Sequence, residues 1–336
     1  FSIKIFKDAQ GRRLSSIECH DLMCKIGEVV VVGGVRRSAM ISLSNLSDDR
    51  MRHAKSGDWW TNDPQRALAN NSVAYTEKPD SLSFMREWMA LVESGSGERG
   101  IFNREASKAQ AAKYGRRDPD WQFGTNPCSE IILRPYQFCN LTEVVVRSND
   151  NFADLGRKVR IATTLGTIQS TYTKFPYLRK IWKDNTEEER LLGVSLTGIM
   201  DNPLLTSKTN GLSKNLENLR QVAVNTNTSL ADTLGINPST AITCVKPSGT
   251  VSQLVDSASG IHARHSKHYI RTVRGDNKDP LTAFMKDQGI PSEPCVMKPD
   301  QTTVFSFPIK SPTNAIVTED MSAVDQLETW LMYQRH

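Results

Sequence analysis

The sequence contains no uninterrupted apolar run of about 18 residues, which excludes a membrane-spanning helix. Cysteine is scarce. Six residues in 336, none of them in a C-x-x-C pair, are too few for a disulfide scaffold. Histidine is equally sparse, at six, and neither H-E-x-x-H nor a Cys/His zinc pattern occurs. No 20–50-residue repeat or low-complexity tract is present, which removes solenoid, collagen-like and largely disordered classes. Charge of one sign is also lacking: 42 Lys and Arg face 37 Asp and Glu, a net of +5. That mild excess suits a polyphosphate ligand without implying a nucleic-acid binder or a membrane surface. The remainder, 38% hydrophobic and 24% charged, is an ordinary globular composition, long enough for about two domains or one large α/β unit. A reducing cytoplasm is the expected compartment, so a cysteine with a task is expected to be redox-active or catalytic.

The hydrophobic pattern alternates strands with helices, which argues an α/β architecture. Helices are expected over Ser15–Gly27, Ser81–Ser94, Leu155–Phe175, Glu187–Met200, Leu216–Leu234 and Val324–Gln334. The second should be amphipathic, with Phe84, Trp88, Leu91 and Val92 on or near one face. Strands are expected over Val29–Val32, Ser38–Leu43, Phe138–Val146, Ala241–Val245 and Thr302–Ile309. His262, His265 and His268 would share one side of a helix, but their neighbours Arg264 and Lys267 are basic, and a polar rim is expected there instead of a metal site.

The most informative stretch is Gly124-Thr125-Asn126-Pro127-Cys128-Ser129-Glu130-Ile131. Asn126, Cys128 and Glu130 stand at i, i+2 and i+4. In an extended loop these side chains point the same way, about 7 Å apart per step, and Pro127 favours an extended Asn126. One face then offers an amide, a thiol and a carboxylate. Eleven residues after Cys128, in Phe138-Cys139-Asn140-Leu141-Thr142-Glu143-Val144, comes a second thiol, Cys139. A carboxylate beside a thiol suits covalent or hydrogen-atom chemistry on a small polar substrate. A polar loop followed by a buried strand cysteine fits the same spacing.

Two further stretches suggest anion binding. Ala241–Val245 runs into Lys246-Pro247-Ser248-Gly249-Thr250, a strand, a turn and a helix start, where free N–H groups favour phosphate. A plain capped helix start would look alike, and Cys244 in the preceding strand is expected to pack. Gly33-Gly34-Val35-Arg36-Arg37 permits a tight loop with two guanidinium groups able to grip phosphate or stack on a base. A surface turn with solvated charges is the alternative.

Taken together and in this order, the Asn-x-Cys-x-Glu loop, the Phe-Cys-Asn-Leu segment and Val-Lys-Pro-Ser-Gly-Thr resemble the catalytic chain of ribonucleotide reductases. The eleven-residue cysteine gap resembles the monomeric, adenosylcobalamin-dependent class. Asn70–Val73, Gly100–Arg104, Leu192–Gly198 and His268–Arg274 agree with the family in order and spacing, so the resemblance covers roughly Ser15 to His336. It implies a ten-stranded α/β barrel with a central finger loop, and places residues 1–336 in one partial catalytic barrel domain. It also implies that Cys128 becomes a thiyl radical taking the ribose 3′-hydrogen. Glu130 would accept the 3′-hydroxyl proton, Asn126 would hold the sugar, and Cys139 would be half of the reducing dithiol. Ser248, Gly249 and Thr250 would receive the substrate phosphates. Gly33, Gly34, Arg36 and Arg37 would form the loop between effector and substrate base. The implied ligands are adenosylcobalamin, a ribonucleoside triphosphate or diphosphate, a deoxynucleotide effector and a thioredoxin-like dithiol reductant.

The pattern is incomplete. Cys19 and Cys24 precede Cys128 by 109 and 104 residues and lie on the wrong side of the Gly-Gly-x-Arg-Arg segment to serve as the partner thiol. The expectation is an internal piece of a longer protein, with that partner upstream of Phe1 and the shuttle-cysteine tail downstream. Two alternatives stay open: a large subunit fed by a separate metal-containing partner, and a non-catalytic nucleotide-binding fragment.

Overall fold

A computed structural model describes residues 1–32, 35–36, 38–206 and 210–336. The chain divides into two compact units. The first comprises Phe1–Ala109, Gln122–Ser129 and Arg271–Phe307; the second comprises Gln110–Trp121, Glu130–Ile270 and Pro308–His336.

In the first unit, Met40–Ser44, Ala69–Tyr75 and Gly100–Asn103 form a parallel sheet in that order, with Met40 opposite Ala69 and Ser72 opposite Gly100. The central strand is buried almost throughout, as parallel strands are when covered on both faces. Helix Ser16–Glu28 opens on a capping box: the Ser15 hydroxyl accepts from the Glu18 amide, and the Glu18 carboxylate accepts from the Ser15 amide. Its Cys24 is fully buried and packs with Leu68 and Ala69. A second sheet places Thr302–Lys310 between His268–Asp276 and Ser292–Pro294 and buries Phe305 completely.

Helix Ser81–Ser94 begins at Asp80, which accepts from the Ser83 amide, and ends at Gly95 in the left-handed region, φ 60°. The expected apolar face is not the buried one. Trp88 and Val92 are exposed, while Glu87 turns inward to meet Arg52 and Arg99. Two guanidinium groups hold this helix where its Phe and Trp would have been expected to.

The second unit is built around Asn140–Val145 and Leu192–Thr197, paired in parallel with Asn140 opposite Leu192. Residues 241–244 continue the sheet on the far side of 192–197 through a single bridge, Val194 to Thr243. Helices Phe152–Gln169 and Asn210–Leu234 share the core with this sheet, through Leu155, Val159, Leu216 and Ala223 against Val144, Leu192, Val194 and Ile242. No helix among the described residues is long and apolar enough to cross a membrane.

The α/β class expected from sequence is present. The sheets are short, and among the described residues they do not close into a barrel. Residues 187–200, expected as one helix, contain instead the end of helix Lys180–Glu189 and the strand Leu192–Thr197. Arg190 breaks the helix at φ 43°, and Leu-Gly-Val-Ser-Leu-Thr is buried on both faces, a setting that hides strand alternation. His262 and His265 lie in irregular backbone and His268 begins a strand, so no helix face collects the three.

Candidate active site

Asn126, Pro127, Cys128 and Ser129 belong to the first unit. They are not extended. The Ser129 amide donates to the Asn126 carbonyl at 2.9 Å, which closes a β-turn. Pro127 sits at the second position of that turn, where its fixed φ is preorganised. Asn70 reinforces it from the neighbouring strand by donating its side-chain amide to the Pro127 carbonyl at 2.5 Å. The turn lifts Cys128 into an exposed position, and Ser129 follows in the left-handed region at φ 63°.

Glu130 and Cys139 belong to the second unit, where they meet groups that lie far away in sequence. The Glu130 side chain is only 1% exposed. Its Oε1 accepts from Lys246 Nζ at 2.8 Å, while Oε2 is buried without a hydrogen-bond partner among the described residues. Cys139 stands just before strand 140–145. Burial pushes its thiol up to about 12, helped by the negative charge of Glu130 and opposed by Arg117 and Lys246. It is therefore held as S–H at neutral pH. Cys244 is the third thiol of the cluster. Burial, together with Cys139 and Glu130, raises it well above the ordinary thiol value.

Gly193 sets the space among these groups. A Cβ there would lie 2.4 Å from Leu141, 2.9 Å from Ile131 and 3.2 Å from Cys244 Sγ. The loop between Glu130 and Cys139 is anchored by a buried ion pair. Arg117 donates to Glu189 at 2.9 Å, to the Ile132 carbonyl at 2.8 Å and to Gln137 at 3.1 Å. Gln137 in turn donates to Glu189.

The segment 246–250, expected to receive phosphate, is differently committed. Ser248 is buried, and its hydroxyl donates to Glu143 at 2.8 Å. Gly249 and Thr250 are exposed, and a Cβ on Gly249 would meet nothing within 4 Å. The helix that follows, Thr250–Leu254, has only five residues, too few for the macrodipole expected from sequence to matter much. Gly33, Gly34 and Arg37 lie outside the described residues, and Arg36 is in the strand Val35–Arg36, antiparallel to Val31–Val32.

Lys246, Glu143 and Arg117 are the contributors that sequence reasoning did not assign. Lys246 carried one weak signal, its place directly before Pro247-Ser248-Gly249.

No family model matches the sequence. Curated relatives do. The adenosylcobalamin-dependent ribonucleoside-triphosphate reductase of Levilactobacillus brevis is 31% identical over 92% of this chain and 44% of its own. That of Lacticaseibacillus paracasei matches at 31% over the same shares, and that of Lactobacillus leichmannii at 29%. The chain thus spans under half the length of the curated relatives it matches. Among solved structures, a B12-dependent (class II) ribonucleotide reductase superposes with a TM-score of 0.77 and 25% identity, covering 99% of this chain and 49% of that one. The alpha subunit of an Actinobacillus ureae class Id ribonucleotide reductase shares the fold at a TM-score of 0.51 and 14% identity.

Proposed function

The chain is a homologue, along most of its length, of adenosylcobalamin-dependent ribonucleotide reductases, and from that premise we propose that it carries the substrate-reducing site of such an enzyme. Residues 1–336 then form part of one catalytic domain, and its short parallel sheets are portions of a ten-stranded α/β barrel. The substrate is a ribonucleoside triphosphate. Cys128 takes the 3′-hydrogen atom as a thiyl radical, Glu130 accepts the 3′-hydroxyl proton and Asn126 holds the sugar. Cys139 gives up its S–H hydrogen as one half of a dithiol, which a thioredoxin-like donor restores by exchange. The backbone at Gly249 and Thr250, with Ser248, receives the phosphates. Gly33, Gly34, Arg36 and Arg37 belong to the loop that links the deoxynucleotide effector to the substrate base.

One observation carries this reading: a buried carboxylate with a bare oxygen, Glu130 Oε2, stands beside a thiol kept protonated and two residues from an exposed one. A buried acceptor left unmet is costly and calls for a donor such as a hydroxyl. Exposure of Cys128 suits contact with a bulky cofactor. Adenosylcobalamin, when bound, supplies the oxidising equivalent that removes the hydrogen atom from that thiol.

The test is deoxycytidine nucleotide formation from CTP and CDP by the full natural polypeptide, with and without adenosylcobalamin, beside its Cys128→Ser variant. Product from CTP that requires both cofactor and Cys128 is expected. Cofactor-independent product or an active Cys128→Ser variant would overturn the assignment.

A further inference from the structure

Lys246 and Glu130 are 116 residues apart in sequence, yet the ammonium donates to the carboxylate of a side chain that is 1% exposed. The ammonium donates to Oε1 at 2.8 Å, and Oε2 is buried without a hydrogen-bond partner among the described residues. Resting on the reductase reading above, we propose that Lys246 is a positioning residue for proton transfer. By occupying Oε1 it makes Oε2 the single oxygen that receives the proton of the substrate 3′-hydroxyl.

A free carboxylate rotates and offers two equivalent oxygens. A point charge on one of them fixes the rotamer and leaves the other aimed. Lysine suits this task because it is a compact single-point donor. Arginine presents a planar fork that grips both oxygens of a carboxylate at once and would cover Oε2. In the step itself the substrate O–H bond breaks, the Oε2–H bond forms and the negative charge passes from the carboxylate to the substrate oxygen. Lys246 stays protonated throughout and faces the carboxylate before transfer and the neutral acid after it. Its place at the start of the turn 246–250 also ties the acceptor to the segment that receives the phosphates, so a substrate seated there meets an acceptor already oriented.

The experiment compares Lys246→Met and Lys246→Arg in the full polypeptide, with wild type and Cys128→Ser as references. The readouts are kcat, KM and the solvent deuterium isotope effect on kcat. Both variants are expected to lose about 10²-fold or more in kcat, the scale of one positioned proton acceptor. KM should change little, and the solvent deuterium effect should rise as transfer of the 3′-hydroxyl proton becomes rate-limiting. Activity of either variant within threefold of wild type would overturn the proposal. So would a loss expressed in KM with an unchanged isotope effect, which would make Lys246 a phosphate ligand. Lys246→Arg keeps the charge and serves if the methionine variant does not fold. An inactive wild type or an active Cys128→Ser variant would instead defeat the underlying reading.

Discussion

Each unit buries a thiol beside a carboxylate and a cation, and the two pockets end differently. In the first unit Cys24 is fully buried, with Sγ 3.7 Å from His20 Nε2. His20 Nδ1 lies 3.1 Å from Asp21, and Arg66 grips both Asp21 oxygens at 2.8 and 2.7 Å. Burial opposes ionisation of Asp21, yet the bonds from Arg66 and His20 prevail and hold its carboxyl below the ordinary range. In the second unit the same ingredients appear as Cys139, Glu130 and Lys246, but one carboxylate oxygen is left bare. The composition of the two pockets hardly distinguishes them. The carboxylates do: both Asp21 oxygens are met, whereas Glu130 Oε2 has no hydrogen-bond partner among the described residues, and the orphan acceptor of the first pocket is a neutral amide oxygen, Asn71 Oδ1, beside His20.

Substitution of the two thiols should break the likeness most sharply. Cys139→Ser in the full polypeptide should lose multiple turnover with a protein dithiol donor by about two orders of magnitude or more, the scale on which one essential group acts. Cys24→Ser should leave turnover close to wild type. Steady-state assays check this, and equal rates for both variants would return Cys139 to the status of a packing residue.

The supporting ion pairs come next. Arg117 and Glu189 are 3% and 4% exposed, so Arg117→Met strands a buried carboxylate and should cost about 3–5 kcal/mol in denaturant unfolding. Arg66→Met, with exposures of 14% and 10% across its pair, should fall at or below the lower end of that range. Sub-stoichiometric nucleotide reduction should then be impaired by the first substitution and spared by the second.

The two pockets also share a pH dependence, confined to alkaline conditions. Burial raises Cys24 to about 11 and Cys139 to about 12. A group whose folded value is raised stabilises the fold fully below its unfolded value and loses that contribution as pH climbs through the folded one. Stability should therefore decline from about pH 9 toward pH 12. Cys24→Ala should flatten part of that decline, as thermal melts across the range would show. Alkylation at pH 8 should label the exposed Cys19 and Cys128 well before Cys24, Cys139 or Cys244.

The sequence singles out candidate residues more readily than it gives their shape. Asn126, Cys128, Glu130 and Cys139 stand out as candidates because their spacing is local and their chemistry rare in combination. Their backbone conformation was not legible. Pro127 was taken to extend Asn126, but the proline also presets a β-turn, and hydrogen bonds from Ser129 and Asn70 decided in favour of the turn. Lys246 was legible only as a neighbour of the phosphate turn, since nothing local marks a partner 116 residues away. Among the elements, the helices at 16–28 and 81–94 were legible from Ser16 and Glu18 near the start of the first and from the break at Gly95 after the second. The strand Leu192–Thr197 was missed because burial on both faces removes its polar positions. The inward face of helix 81–94 was missed because Glu87 is buried through Arg52 and Arg99, which sequence periodicity cannot foresee.

Gly193 and Gly249 carry the same residue under opposite constraints. At Gly193 the first carbon of any side chain would collide with Leu141 and crowd Cys244, whereas at Gly249 it would enter open space. In a saturation library selected for folding and turnover, position 193 should return glycine alone and position 249 a broad spectrum. Mutational tolerance thus tells a packed glycine from an open one without any ligand in place.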